Sequence, residues 1–290
     1  MITAYLPDSS IINAQDYDEK VHGYELYCID DSCRAPVIFV GKGLKHSAYF
    51  KTVGRGADSK HKATCGFYEP LDVAAAIDKT AEYQAKLLKD MKYRENIRFV
   101  RLNMNSLDPD HVPTPRGERE QKEKDASKLG LKEEKSTPDV ISSMKSVVKL
   151  LTQNEPDVLS SIYFNISGRK LPLSEVVLSP QRAYDKLWSD QDQRLKYFVY
   201  GKVLEVTTRE KVTYLDVESE RDKPFTLVVF RDYYKNFTSF ESFDVLKGRD
   251  VLVYGQLKKN DFENRKKCEI IVTTEKYMTL FKRNVSSQTT

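Results

Sequence analysis

Cys28, Cys33, His61 and Cys65 are the residues of this 290-residue chain whose types and spacing best suit chemistry. They form two pairs, Cys28-x4-Cys33 and His61-x3-Cys65, with 27 residues between the pairs. Zinc takes four soft or borderline ligands in a tetrahedron, usually thiolates and imidazoles. Two short-spaced pairs supply two knuckles, and the intervening loop brings them together. Four protein ligands leave no position for water, so a site of this kind is structural rather than catalytic. In so small a segment, metal binding supplies on the order of 10 kcal/mol of folding free energy. Ser32, Gly66 and the nearby Gly41, Gly43, Gly54 and Gly56 permit the tight turns that knuckles require. His46 lies within the gap and is the alternative to His61; His22 and His111 read as surface residues. Cys268 alternates with Ile270 and Val272 and reads as a core residue.

The elements that must position these ligands are legible as changes of period along the chain. Residues 1–70 are rich in Gly, Cys, His and aromatics. Val73, Ala76, Ile77, Tyr83, Leu87 and Met91 then recur on one helical stripe, and Ile97–Leu102 reads as a short strand. Together they bound a zinc-binding N-terminal domain, 1–102, in which helix and strand complete the core. Residues 103–136 carry Pro109, Pro113 and Pro115 followed by a run of mixed charge, and read as a charged linker, either flexible or weakly helical. A helical bridge, 137–190, follows. Its first helix is expected to start at Thr137 as N-cap with Pro138 and Asp139 in the first turn, a second after Asn154, and a third at Ser179–Pro180.

From Lys196 the period changes to two. YFVYGKVLEV, VTYLDVE, FTLVVF, DVLVYGQL and CEIIVTT are five strands, and DYYKNFTSFESFDVLKG between the third and fourth is long enough for a helix. That order is the order of an OB-fold, a five-stranded Greek-key β-barrel, here over 196–285. The fold class read from sequence is therefore α+β and multidomain: a small zinc-knuckle α/β module, a helical bridge and an OB-like barrel. OB-folds bind single strands by stacking bases on aromatics within a basic groove. Strand alternation places Tyr200 and Lys202 outward on the first strand and Tyr214 outward on the second. Arg231 ends the third, and Lys258, Lys259, Arg265, Lys266 and Lys267 crowd the last hairpin. Phe237, Phe240 and Phe243 recur at near-helical spacing and read as the plug of the barrel's bottom. Lys60 and Lys62, with Lys42, Lys45, Lys51 and Arg55, make the metal loop basic, either as a solvated loop or as a phosphate-contacting surface.

Residues 26–67, LYCIDDSCRAPVIFVGKGLKHSAYFKTVGRGADSKHKATCGF, resemble the zinc-binding N-terminal segment of the competence protein CoiA-like family. In that family a Cys pair is followed by small strands, an aromatic segment and a His/Cys pair. The aromatic element here is Ala48-Tyr49-Phe50-Lys51. Four residues separate the first cysteines where the family has two, and Tyr49 stands in place of the family's histidine. The resemblance implies metal binding in a bacterial or phage DNA-handling setting. It does not extend to the nuclease domain of many members, because no acid–acid–lysine constellation is found. Asp216 and Glu218 alternate on one strand and read as its solvated face.

The net charge is +4, and the region from Lys196 onward holds 18 Lys/Arg against 14 Asp/Glu, so the basic surplus lies there. A polyanion partner suits that distribution. Four cysteines are too few for a disulfide scaffold, and no apolar run approaches the roughly 18–20 residues that cross a membrane. The sequence thus reads as a cytoplasmic, zinc-containing, non-enzymatic nucleic-acid-binding protein, for single-stranded DNA before duplex. Two alternatives stand beside it: an adaptor that docks a protein partner through the OB-like domain or helical bridge, and a metal-dependent nuclease.

Overall fold

The computed structural model describes residues 1–44, 46–54, 56, 59–69, 71–89, 97–104, 140–166, 168–189, 195–239, 241–262 and 265–281. These form a mixed α and β structure with three sheets. The first is antiparallel and built from β1 (Thr3–Tyr5), β2 (Ile11–Asn13), β3 (Leu26–Cys28), β4 (Pro36–Val40) and β5 (Tyr49–Thr52), in the order β2-β1-β3-β4-β5. A four-residue helix, α1 (Glu19–His22), lies between β2 and β3. Strands this short bury little surface alone; Leu26, Val37 and Phe50 share their core with Cys28, Cys33 and Cys65.

Helix α2 (Val73–Leu87) is capped by Asp72, whose carboxylate accepts from the Ala75 N–H at 2.9 Å. The stripe read from sequence is the buried one, with Thr80 and Gln84 added; Met91 lies outside the described residues. The helix joins two cores. Val73, Ala76 and Ile77 enter the large core, while Tyr83 and Leu87 pack on Tyr5 and Ile29 beneath the first sheet.

The segment read as a helical bridge is a mixed layer instead. Strand β6 (Arg98–Leu102) joins β7 (Val140–Ile141), β8 (Ile162–Ile166) and β9 (Arg169–Pro172) in the order β7-β6-β8-β9. Strand β6 thus completes this sheet rather than that of the metal module. Ile141 is in a strand, and the helix expected from Thr137 begins later: α3 (Met144–Gln153) is capped by Ser143, which accepts from the Ser146 N–H. Thr137, Pro138, Asp139 and nearly all of the charged linker lie outside the described residues. Helix α4 (Pro156–Ser160), α5 (Leu173–Val176), β10 (Val177–Leu178) and α6 (Pro180–Trp188) follow, the last capped by Ser179 as the sequence indicates. Buried Asp157 on α4 accepts from the N–H groups of Ile2 and Thr3 at 2.6 and 3.1 Å, tying this layer to the start of β1.

The third sheet holds the five strands expected: β11 (Lys196–Thr208), β12 (Val212–Val217), β13 (Phe225–Phe230), β14 (Asp250–Phe262) and β15 (Arg265–Ile271), with β16 (Met278–Phe281) added beside β14. The pairings run β11-β12-β13-β15-β14 and return to β11, with β13 and β15 parallel. Each long strand divides its partners. Lys196–Lys202 of β11 pair with β14, and Val203–Thr208 pair with β12 across a bulge. Gly255 sits where a Cβ would lie 2.5 Å from Ile270 Cγ2, so only glycine allows the strands to approach. Instead of one α-helix, two 3-10 turns, Arg231–Asn236 and Phe243–Leu246, join β13 to β14. Phe237 is buried there and Phe243 packs against it at 5.2 Å between centroids; Phe240 lies outside the described residues.

Candidate metal centre and cationic surfaces

Cys28 ends β3, Cys33 follows a turn, and His61 and Cys65 lie in the loop before α2. The three thiols and the His61 ring present ligand atoms that all lie within 4.8 Å of one another. Sγ of Cys28 and Sγ of Cys65 are 3.7 Å apart, and His61 Nδ1 lies 3.5 Å from Cys33 Sγ and 3.4 Å from Cys65 Sγ. A tetrahedral ion with metal–sulfur bonds of about 2.3 Å and metal–nitrogen bonds near 2.0 Å requires sulfur–sulfur edges of about 3.8 Å and sulfur–nitrogen edges of about 3.5 Å. These three edges match, and the remaining ones stay within 4.8 Å, so the four residues could hold a metal ion. The sulfurs are far beyond disulfide bonding distance, and all four cysteines of the chain are free. His46 is exposed on its own loop and contacts the Ser47 carbonyl and the Tyr49 ring; it is not in the cluster.

The Cys28 and Cys65 sulfurs lie in contact, and their titrations are pushed apart. The Cys28 hydrogen bond holds the Cys65 thiol down to about 5, assisted by His61 and the Phe67 N–H and opposed by burial. The same contact, with burial, pushes Cys28 up. A cation at the centre of the tetrahedron favours the thiolate form of every sulfur.

What holds the knuckles in place was not apparent from the ligand spacing. Asp30, buried inside the Cys28–Cys33 turn, accepts five hydrogen bonds. One carboxylate oxygen takes the N–H and hydroxyl of Ser32 at 3.0 and 2.6 Å; the other takes the Gly66 N–H at 3.0 Å, Lys79 Nζ at 2.8 Å and Tyr83 Oη at 2.7 Å. Burial alone would push this carboxyl up. The Lys79 ammonium and the hydrogen bonds from Ser32, Gly66 and Tyr83 outweigh it and hold Asp30 well below the usual carboxylate range. One side chain thus fixes both knuckles against α2. Ring packing runs parallel to it, from His61 to Phe67 at 5.7 Å and from Phe67 to Tyr83 at 5.6 Å. The signal was an acidic residue in a cysteine turn facing a Lys and a Tyr one helical turn apart.

The cationic residues expected at a nucleic-acid surface fall in separate places. Lys60 and Lys62 are exposed on the metal loop. Lys202 is exposed on β11, Tyr214 is half-buried with Arg209 over its ring at 5.7 Å, and Arg231 is exposed and donates to the Glu210 carbonyl. Tyr200 departs from its expected outward position: it is 4% exposed. The alternation fails there because β11 is covered on both faces. Phe198, on the same side, packs on Phe164 and Tyr254 at 6.2 and 4.6 Å, and Tyr200 faces α2 across a cleft shared with Ala74 and Asp78.

In the last hairpin Lys258, Lys259, Arg265 and Lys266 are exposed and Lys267 is half-buried. Lys259 and Lys266 lie over the Trp188 ring at 5.1 and 4.9 Å. Lys258 instead lines a groove of 730 Å³ with Lys196, Lys235, Tyr233, Gln256 and Tyr277. Asp232 is the one acidic residue in its wall. Lys196 Nζ lies 5.4 Å from the Tyr277 ring centroid. Strand alternation did not single out Lys196, which begins β11, or Tyr233 and Lys235, which lie in the 3-10 turn Arg231–Asn236. No helix of the described residues is long and apolar enough to cross a membrane. No protein-family model matches the chain, and no curated protein matches it.

Proposed function

We propose that this protein binds single-stranded nucleic acid in the groove between the β13–β14 connection and β14, and that its N-terminal cluster is a structural zinc site. The observation that carries the reading is the groove: Lys196, Lys235 and Lys258 beside the half-buried Tyr233 ring in one concave wall with a single acid. Lysines track a phosphate backbone and rings stack bases, and the combination tolerates any sequence. The closed circuit of strand pairings, with the parallel β13–β15 contact, supports an OB-like five-stranded barrel as the scaffold. Three thiolates and one imidazole in a tetrahedron favour zinc over magnesium or calcium, which take oxygen ligands. All four positions are met by protein groups, which supports a structural role. The resemblance of residues 26–67 to CoiA-like proteins is in keeping with both parts of the reading, and a reducing cytoplasm suits the free thiols.

Fluorescence anisotropy with labelled single- and double-stranded oligonucleotides at two salt concentrations tests the binding reading. The expected result is tighter binding of the single strand, with affinity falling as salt rises and falling further in Lys196→Glu and Lys258→Glu. Absence of binding at low salt overturns it. Metal analysis of the purified protein is expected to return one zinc per chain, lost in Cys28→Ser.

A further inference from the structure

The sheet β7-β6-β8-β9 has one face in the large core and the other uncovered by described residues. Val100, Ile162, Phe164 and Ile141 point inward and are buried. Pleating then sends Phe99, Arg101, Tyr163, Asn165, Lys170 and Val140 to the other face. Phe99 is 48% exposed and Val140 47%. Registers align these residues in two rows. Phe99 stands opposite Tyr163, with ring centroids 6.2 Å apart. One step along the strands, Val140, Arg101, Asn165 and Lys170 lie side by side. The rows are about 6.6 Å apart, two residues of strand rise. The four strands contain no acidic residue. Lys170 Nζ sits 4.2 Å from the centroid of the Phe99 ring, so a cation already lies against the aromatic row.

We infer that this open face is a second nucleic-acid site, a stacking platform for two consecutive bases of a single strand. Phe99 and Tyr163 take the bases. Arg101 and Lys170 take the phosphates beside them, and Asn165 offers hydrogen bonds to a base edge. Charge selects this occupant. Two neighbouring rings among cations, on strands that themselves carry no acid, complement a polyanion that carries flat apolar faces. A flat sheet also admits splayed bases without the cost of opening a cleft. The site shares its ligand class with the groove beside β14 but none of its residues, so each reading can fail alone.

The test uses the full chain and a fluorescein-labelled 12-nucleotide oligothymidylate, with a 5-iododeoxyuridine copy for photo-crosslinking and mass spectrometry. The expected result is a crosslink at Phe99 or Tyr163 and a 5- to 150-fold weaker Kd in Phe99→Ala, the range for one lost stacking contact. Phe99→Tyr should restore affinity. Phe99 is half exposed, so the melting temperature of Phe99→Ala should stay near that of the parent, which separates lost stacking from lost folding. Crosslinks confined to the β14 groove, with Phe99→Ala binding like the parent, overturn the platform and leave the groove. Failure of the oligonucleotide to bind at low salt overturns both.

Discussion

Replacing Asp30 with Asn probes whether the metal module is held by its ligands alone or by the carboxylate behind them. The change keeps size and shape. One oxygen can still accept from Ser32, but an amide NH2 now faces the three donors Gly66 N–H, Lys79 Nζ and Tyr83 Oη. Asp30 is wholly buried and Lys79 is 22% exposed. Removing one partner of a buried pair costs roughly 3–5 kcal/mol, because the other is left uncompensated. Lys79 keeps Glu82 at 3.1 Å, which places the expected loss near the lower figure, about 3 kcal/mol. That is a large share of the 5–15 kcal/mol typical of a domain. Metal affinity should fall as well, on the order of 10- to 100-fold, as when an outer partner of a metal ligand is removed. Urea denaturation reads the first quantity, and competition with a chromogenic chelator reads the second. A variant that holds metal as tightly as the parent and unfolds within about 1 kcal/mol of it would refute the reasoning and reduce Asp30 to a turn residue.

Two further outcomes follow from the β11–β15 region. Gly255→Ala drives a methyl into Ile270 and should destabilise by roughly 1–3 kcal/mol, read as a lower urea midpoint with unchanged slope; an unchanged midpoint would show that the strands can separate freely. Tyr254 is pushed up to about 12 by burial and then by Tyr277, against an ordinary value near 10. Between those pH values the unfolded chain loses its proton first, so stability is complete below pH 10 and declines as pH rises to 12, by roughly 3 kcal/mol. Tyr254→Phe should remove that part of the decline in alkaline urea titrations, and parallel pH profiles for the two proteins would contradict it.

The cluster of Cys28, Cys33, His61 and Cys65, which could hold a metal ion, was legible because coordination leaves a spacing in the sequence that no packing rule obscures. The stripe of α2 was legible because it has one dominant buried face, so its period shows, and the five strands were legible as runs of β-branched and aromatic residues between turns. Legibility failed where an element is covered twice or pairs at long range. Tyr200 sits in the run Tyr197–Tyr200, which is buried on both faces, and alternation carries no information in such a run. Strand β6 pairs in parallel with β8 across some sixty residues of chain, and a five-residue strand with no adjacent hairpin partner gives little hint of where it goes. Val140 and Ile141 were absorbed into an expected helix because a Thr-Pro-Asp run reads in sequence as a helix start, whereas Ser143 is the residue that caps α3. Asp30 was overlooked because a buried carboxylate is recognised by the donors around it, and those lie on another element.

The return of the pairings to β11 bears on how the chain behaves among its own copies. A row of unpaired N–H and C=O groups on a long strand is a template on which a second chain can add. Here the long strands β11 and β14 spend their backbone groups on one another and on their neighbours, and the sheet ends instead in β10, two residues long, and β16, four residues long. Neither offers enough length for another strand to register against. A segment rich in Val, Tyr and Phe, which would be prone to templated aggregation as an open sheet, is thereby kept from self-addition.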